Sequence, residues 1–359
     1  MNIKLSTGLL FLASLLLFCN RTDPKPDTVY NQTNRIGGIT INNSIDQAEH
    51  VQIGLQVFDD SHIAYGLDLR SHHLFKLSLE SESLTFLSSV GRGPQELSFP
   101  IQLIMKSDTE FYVYDARQDM FAHFVNDEII GKIPGYMEHN IWNRNSYGFY
   151  WNNHIITAIE DHEELQAMNI DQAKPLAFLN LDDNTLTKHG MMSPTIDKLD
   201  SYGKYPYIYF DDVSEIIYYA FRSDYTIMKY DIAKDTTFVA SSYKPQKMRQ
   251  RSIPVDRQSQ PTRESARMYG LDTTNINGMA IIEDQLVVVW FNYTDEFYDN
   301  NSDYTSLDVY GVIYDLPNLD NPREFSLPGR FLGIYNNNLL VEENDDPINY
   351  TIGFYDVIN

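Results

Sequence analysis

Residues 61–90 read SHIAYGLDLRSHHLFKLSLESESLTFLSSV and establish the structural class of the chain. Three short runs rich in Ile, Leu, Tyr and Phe are separated there by clusters of Asp, Ser and His. Runs of this length and composition, broken by turn-forming residues, predict antiparallel β-strands joined by tight turns. Residues 109–133 repeat the pattern as TEFYVYDARQDMFAHFVNDEIIGKI, and both segments carry Asp-x-Arg after the first strand.

The same rhythm continues along the chain as larger units. Residues 215–242, 285–329 and 338–358 each repeat strands separated by turns, and each unit is preceded by one more short strand. Four strands per unit of about 40 to 55 residues indicate the blades of a β-propeller. The predicted units are 51–98, 99–138, 139–200, 201–274, 275–329 and 330–359.

We therefore predict an all-β, six-bladed propeller of four-stranded antiparallel blades over residues 36–359. The last unit lacks its outermost strand, and Ile36–Asn42 (IGGITIN) is a strand without a unit. We expect this N-terminal strand to complete the sixth blade, because closure removes the exposed sheet edges that an open array would leave.

Composition excludes several classes of protein. The 359 residues contain 50 acidic and 27 basic side chains, a net charge of −23, which repels phosphate backbones and argues against nucleic-acid binding. Hydrophobic residues make up 43%, enough for a large core. A single cysteine excludes internal disulfides and cysteine-based zinc or iron–sulfur sites.

The N-terminus predicts export. Lys4 precedes the apolar run Leu9–Phe18, which spans about 15 Å as a helix, half the core of a bilayer, and so reads as a signal peptide rather than a membrane span. Cys19 follows at once and resembles the acylated cysteine of a bacterial lipoprotein. We expect a signal over residues 1–19, a tether over 20–35 and an outer-membrane lipoprotein; the alternative is that Cys19 merely ends the apolar run.

Residues 90–100 (VGRGPQELSFP) form a motif. Its glycines and proline predict a tight turn after an outer strand, in which Glu96 accepts hydrogen bonds from backbone amides. The motif resembles the G-R-G-P-G-E turn of six-bladed propeller lipoproteins of Bacteroidota, loosely related to NHL and TolB-type propellers. That resemblance implies the fold and the location, and says little about function. The matching residues are Gly91, Arg92, Gly93, Pro94, Glu96 and Pro100.

A propeller binds ligands on the face built by two sets of loops: those that join the second strand to the third, and those that join one unit to the next. On this loop face the unit map places the candidate ligand-binding residues Asp68, Arg70, His72, His73, Asp115, Arg117, Asp161, His162 and Arg222. The repeated pairs Asp68/Arg70 and Asp115/Arg117 favour ion pairs that hold the loops together. The alternative is a His–carboxylate metal site at the channel mouth.

No sequence signature of a nucleophilic, zinc or phosphate-binding site is present, and no cofactor is assigned. Residues 299–308 (DNNSDYTSLD) lack the spacing of an EF-hand, so calcium stays a minor alternative. Aromatic residues in Asn-rich turns are expected to fill the wedges between blades, although stacking on sugars is the other interpretation. They are Trp142, Tyr147, Tyr150 and Trp151.

Residues 243–275 interrupt the rhythm with seven basic and three acidic side chains. We interpret this insertion as a loop, partly helical near Arg263–Tyr269, that lies on acidic neighbours. The alternative is an arm for an anionic ligand or partner.

The sequence favours a binding or scaffold module for an envelope protein, peptide or glycan. We expect a monomer, attached to the membrane only through its lipid. An enzyme, a metal-dependent lactonase-like hydrolase or a lyase with its site at the channel mouth, is the alternative, because one fold hosts both activities.

Overall fold

The structure is a computed structural model that describes residues 31–42, 55–58, 60–68, 71–135, 148–160, 170–196, 206–222, 224–250, 262–300, 304–344 and 349–357. More than half of these residues lie in strands and few lie in helices, which confirms the predicted all-β class. Among them, no helix is both long enough and apolar enough to cross a membrane.

The strands are short and follow the predicted runs. The first fourteen are β1 Asn31–Gln32, β2 Asn34–Asn42, β3 Gln56–Phe58, β4 Ile63–Asp68, β5 His73–Ser78, β6 Ser83–Phe86, β7 Ser89–Val90, β8 Glu96–Leu97, β9 Pro100–Met105, β10 Glu110–Asp115, β11 Met120–Val125, β12 Glu128–Pro134, β13 Gly148–Trp151 and β14 His154–Ala158. The others are β15 Leu176–Asn180, β16 Leu186–His189, β17 Pro206–Asp211, β18 Ile216–Phe221, β19 Ile227–Asp231, β20 Thr236–Ser241, β21 Thr274–Ile282, β22 Gln285–Asn292, β23 Asp308–Asp315, β24 Asp320–Leu327, β25 Arg330–Tyr335, β26 Asn338–Asn344 and β27 Asn349–Asp356.

Within the described ranges, two short helices interrupt this pattern, α1 Arg263–Asp272 and α2 Asp295–Asp299, together with 3-10 turns at Ile170–Gln172 and Tyr304–Ser306. Each α-helix starts at a threonine whose hydroxyl accepts a backbone hydrogen bond: Thr262 from Ser265 and Thr294 from Phe297. The predicted helix near Arg263–Tyr269 is confirmed.

The sheets have a propeller-like arrangement of consecutive antiparallel strands. Three four-stranded sheets have the orders β3-β4-β5-β6, β17-β18-β19-β20 and β2-β27-β26-β25. A five-stranded sheet has the order β1-β24-β23-β22-β21, and β7 pairs with β8. The prediction of a separate sheet for every unit is wrong for the second and third units. The first strands of these units, β9 and β13, pair in parallel and join them in one sheet, β12-β11-β10-β9-β13-β14-β15-β16.

The N-terminal strand pairs with the last strand of the chain, as predicted. β2 runs antiparallel to β27, with Asn34 opposite Asp356 and Ile41 opposite Tyr350. Ahead of it, β1 adds a parallel strand to β24 of the preceding sheet. The N-terminal segment therefore joins two neighbouring sheets.

Most of the core lies between neighbouring sheets. One cluster packs Tyr218 of β18 with Trp290 of β22, and another packs Phe111 of β10 with Tyr65 of β4. A further cluster joins Leu340 of β26 to Phe75 of β5. Trp151 packs against a cluster between two sheets, and Tyr150 packs against one between the second and third predicted units, as expected for wedge residues. Trp142 and Tyr147 lie outside the described residues.

Candidate functional site

Three turns at one end of the first two predicted units adjoin one another and contain most of the described candidate residues. They are the described part of the turn between β4 and β5 (Asp68 and residues 71–73), the connection from Gly91 to Pro100 and the turn from Asp115 to Asp119. We call them the turn cluster. Residues 69 and 70, and with them the candidate Arg70, lie outside the described residues, as do Asp161 and His162.

Asp115 holds two of these turns together. Its buried carboxylate accepts hydrogen bonds from the backbone N–H groups of Ser98 (2.5 Å) and Phe99 (3.1 Å) in the connection. It also accepts from the backbone N–H of Arg117 (3.0 Å) and from N–H groups of Gln118. The predicted ion pair between the Asp115 and Arg117 side chains is therefore wrong. The carboxylate accepts a hydrogen bond from the Arg117 backbone N–H and none from its guanidinium, because five N–H donors in all occupy its two oxygens.

The motif turn has the predicted internal bond. Glu96 Oε2 accepts a hydrogen bond of 2.7 Å from the backbone N–H of Gly93, and the N–H of Gly91 donates to the carbonyl of Leu97 at 2.9 Å. A Cβ atom on Gly91 would lie 2.0 Å from Glu96 Oε2, so only glycine allows the carboxylate to close over the turn. Gln95, which replaces a glycine of the family motif, donates from Nε2 to the Ile129 carbonyl.

Lys132 on β12 completes the cluster and was not predicted. Its ammonium group donates to the carbonyls of Gly93 (2.9 Å) and Glu96 (2.8 Å) and to Oε1 of Gln118 (2.9 Å). Burial lowers the pKa of Lys132, while the nearby carboxylates of Asp115 and Glu96 raise it in part. The sequence gives no signal for this contact, since it depends on the register of β12 against β11.

The histidines of the first turn make aromatic contacts. His72, at φ 59°, packs edge-on against Phe99 at 4.8 Å between ring centroids, and His73 packs on Phe86 at 4.8 Å. Burial lowers the pKa of His73, partly offset by the charge of Asp68. Asp68 is buried and accepts hydrogen bonds from the hydroxyl (2.6 Å) and backbone N–H of Ser71. In the part of the chain that the structure describes, no three His, Cys, Asp or Glu residues come close enough to hold a metal.

Two arginines project from this framework. Arg92 and Arg117 are both exposed, and neither guanidinium has a hydrogen-bond or ion-pair partner within the described ranges. The Gln118 side chain donates to the Gly91 carbonyl at 3.3 Å and so connects the residue after Arg117 to the residue before Arg92. Pro94, the remaining motif residue, is exposed beside them.

Arg222 belongs to a second patch, formed by the basic insertion and the loop after β22. Its guanidinium lies over the ring of Tyr269 on α1, 5.5 Å from the centroid. Arg267 of α1 binds Asp299 (2.7 Å) and Asp295 (2.5 Å) of α2, which confirms that the insertion lies on acidic neighbours there. Arg249 donates to the carbonyls of Leu271 and Tyr293, and so connects the C-terminal end of α1 to the chain just before α2.

An open groove of about 300 Å³ lies elsewhere, where the N-terminal segment passes between two sheets. Beside it, Arg35 pairs with both oxygens of Glu343, which holds the pKa of that carboxyl below its usual range. The groove is lined by Thr33, Arg35, Ser326, Leu327, Pro328 and Tyr355.

Neither protein-family models nor curated proteins match this chain. Solved structures do. A member of the DUF4221 family from Bacteroides vulgatus superposes with a TM-score of 0.68 at 9% identity, covering 91% of this chain and 98% of its own. A Bacteroides fragilis protein described as exported superposes with a TM-score of 0.58 at 11% identity, covering 91% and 95%. At these identities the likeness establishes a shared fold.

Proposed function

We propose that this chain is an exported lipoprotein whose propeller binds a protein, peptide or glycan of the cell envelope through the turn cluster. Export is supported by the signal-like run before Cys19 and by the fold shared with a protein described as exported. Acylation of Cys19 would hold the propeller at the outer membrane through the tether 20–35.

We further propose that the units close into a six-bladed ring. Three observations support closure: β2 pairs with β27, a core cluster joins the last sheet to the first, and the Leu55 N–H donates to the Leu332 carbonyl at 2.5 Å. A closed ring sets all the second-to-third-strand loops on one face. The turn cluster then forms part of a continuous surface.

The observation that carries the proposed function is the contrast within the turn cluster. Its buried and half-buried polar groups hold the backbone in place: Asp115 accepts five hydrogen bonds and the half-buried Lys132 donates three. Its outward side chains, those of Arg92, Gln95 and Arg117, are exposed. A backbone fixed in advance lowers the entropy lost when a ligand binds, which is a property of a recognition surface.

The test is a binding screen with the soluble chain from Thr22 onward against arrays of envelope peptides and glycans. Lys132→Met removes the ammonium group whose three hydrogen bonds hold the turns together. We therefore expect binding of the peptide or glycan that the screen identifies to weaken at least tenfold. The matched control is Lys106→Met, which breaks an ion pair with Glu110 at the opposite end of the same unit. Equal binding by both variants and the parent chain would refute the turn cluster as the binding surface.

The anchor has a separate test. We expect Cys19→Ser to release the protein from the membrane fraction of its native cells, because a single acylated cysteine supplies the attachment. Fractionation followed by immunoblotting measures the change. Unaltered membrane association of the variant would argue against acylation at Cys19.

A further inference from the structure

Several of the arginines that the structure describes pair with carboxylates, as the large acidic excess of the chain leads one to expect. With 50 acidic against 27 basic residues, a guanidinium on the surface readily meets a carboxylate. The described pairs are Arg35 with Glu343, Arg267 with Asp295 and Asp299, Arg323 with Asp315, and Arg330 with Glu342. Arg92 and Arg117 have no such pair within the described residues, although acidic residues lie close to both in sequence.

The carboxylates near these two arginines are engaged elsewhere. Asp115 is buried and faces N–H donors, and Glu96 accepts from Gly93. Asp119, the last residue of the Arg117 turn, accepts a hydrogen bond of 2.9 Å from the Tyr114 hydroxyl. The Lys132 ammonium lies among the same turns and adds positive charge. The turn cluster thus presents two cations without an internal anion bonded to either.

The backbones that carry the two arginines are held in place. Arg117 donates its own N–H to Asp115, and Arg92 lies between two glycines whose N–H groups are both bonded. Gln118 connects the two turns. The side chains therefore start from fixed points, and only their own rotamer freedom is lost on binding.

We propose that Arg92 and Arg117 bind a carboxylate group of the ligand; this inference rests on the turn cluster being the binding surface proposed above. The planar guanidinium matches a carboxylate with two parallel hydrogen bonds. The net charge of −23 repels polyanions over a Debye length, so the chemistry selects a ligand with few carboxylates rather than a nucleic acid or other dense polyanion.

The experiment is an NMR titration of the arginine Nε–Hε signals of the chain from Thr22 onward. The probes are glucuronate and N-acetyl-glutamate, which carry the same group from a sugar acid and from a peptide. Glucose and N-acetyl-glutamine serve as their uncharged counterparts. We expect the Arg92 and Arg117 signals to shift with either carboxylate and not with its counterpart, and the tighter of the two identifies the source of the group.

Variants separate a site from general ion attraction. We expect the double variant Arg92→Ala/Arg117→Ala to weaken carboxylate binding at least tenfold, with lysine at both positions intermediate. The matched control Arg263→Ala removes an exposed arginine of α1, outside the turn cluster, and should leave binding unchanged. Equal shifts at Arg92, Arg117 and Arg263, or equal shifts with inorganic phosphate, would overturn the proposal.

The two proposals fail differently. If Lys132→Met abolishes binding of an array ligand and the double arginine variant binds it as the parent does, the carboxylate inference is wrong and the binding surface stands. If Lys132→Met has no effect, the surface itself is wrong, and the carboxylate inference is overturned with it.

Discussion

At the scale of single residues, the close contact between Gly91 and Glu96 predicts how a substitution of the glycine changes stability. An alanine Cβ at this position would meet Glu96 Oε2 at 2.0 Å and push the carboxylate away from the Gly93 N–H. Loss of that charged hydrogen bond should lower the free energy of unfolding by about 1–3 kcal/mol. Urea unfolding of Gly91→Ala measures it.

Gly131 is the matched control, because no atom beyond its two chain neighbours lies within 4 Å of the Cβ it would gain. We expect Gly131→Ala to change the unfolding free energy by less than about 0.5 kcal/mol. Equal destabilisation by both variants would mean that a general cost of alanine, and not the Glu96 contact, explains the effect.

Residues within one turn could be predicted from the sequence, and their partners across sheets could not. The role of Glu96 followed from the local geometry of a glycine–proline turn. Asp115 was correctly placed in a structural role, yet its partners were backbone N–H groups rather than Arg117. Lys132 was missed because its contacts with Gly93 and Glu96 cross 39 and 36 residues, a distance over which a single sequence carries no pairing information.

At the scale of elements, β2 tests how much the N-terminal strand contributes to the last sheet. Ile39 and Ile41 are buried between β2 and the neighbouring sheet, whereas Ile36 of the same strand is 59% exposed. We expect Ile41→Ala to cost about 2–5 kcal/mol of unfolding free energy, as for other buried isoleucines. Ile36→Ala should cost less than about 0.5 kcal/mol. Both are measured by denaturant unfolding.

A small effect of Ile41→Ala would contradict the observed packing, since the side chain is only 3% exposed.

The positions of the strands could be predicted from the period-2 alternation of apolar residues. The β2–β27 pairing could be predicted because the last unit lacked one strand and the N-terminal segment had a strand without a unit. The parallel pairs β1–β24 and β9–β13 could not be predicted. Both are only two residue pairs long, and their register is set by how whole sheets pack.

At the scale of the whole molecule, the sheets are held together by apolar wedges that contain many tyrosines. The clusters between sheets bury Tyr65, Tyr219 and Tyr314 almost completely. The repeat of short antiparallel strands was legible in the sequence, because successive stretches of the chain share the same runs. The pairing of tyrosines in each wedge was not, because it depends on the angle at which neighbouring sheets meet.

These wedges predict a loss of stability at alkaline pH. Burial raises the pKa of Tyr218 and of Tyr219 to about 12, while the unfolded chain ionises its tyrosines near the ordinary value of 10. Between pH 10 and 12 the unfolded state therefore binds fewer protons than the folded state, so the free energy of unfolding falls as pH rises. Each such tyrosine should contribute about 1 kcal/mol of loss by pH 11.

Urea unfolding at pH 9, 10, 11 and 12, followed with tyrosinate absorbance, measures this slope. Tyr219→Phe removes one titrating group together with its hydrogen bond to the Met191 carbonyl, so it should be less stable at pH 9 and lose less with rising pH than the parent. The comparison cancels the lysines, which titrate in both proteins. Parallel pH profiles would mean that Tyr219 ionises alike in the folded and unfolded chain, which is incompatible with a tyrosine buried between two packed sheets.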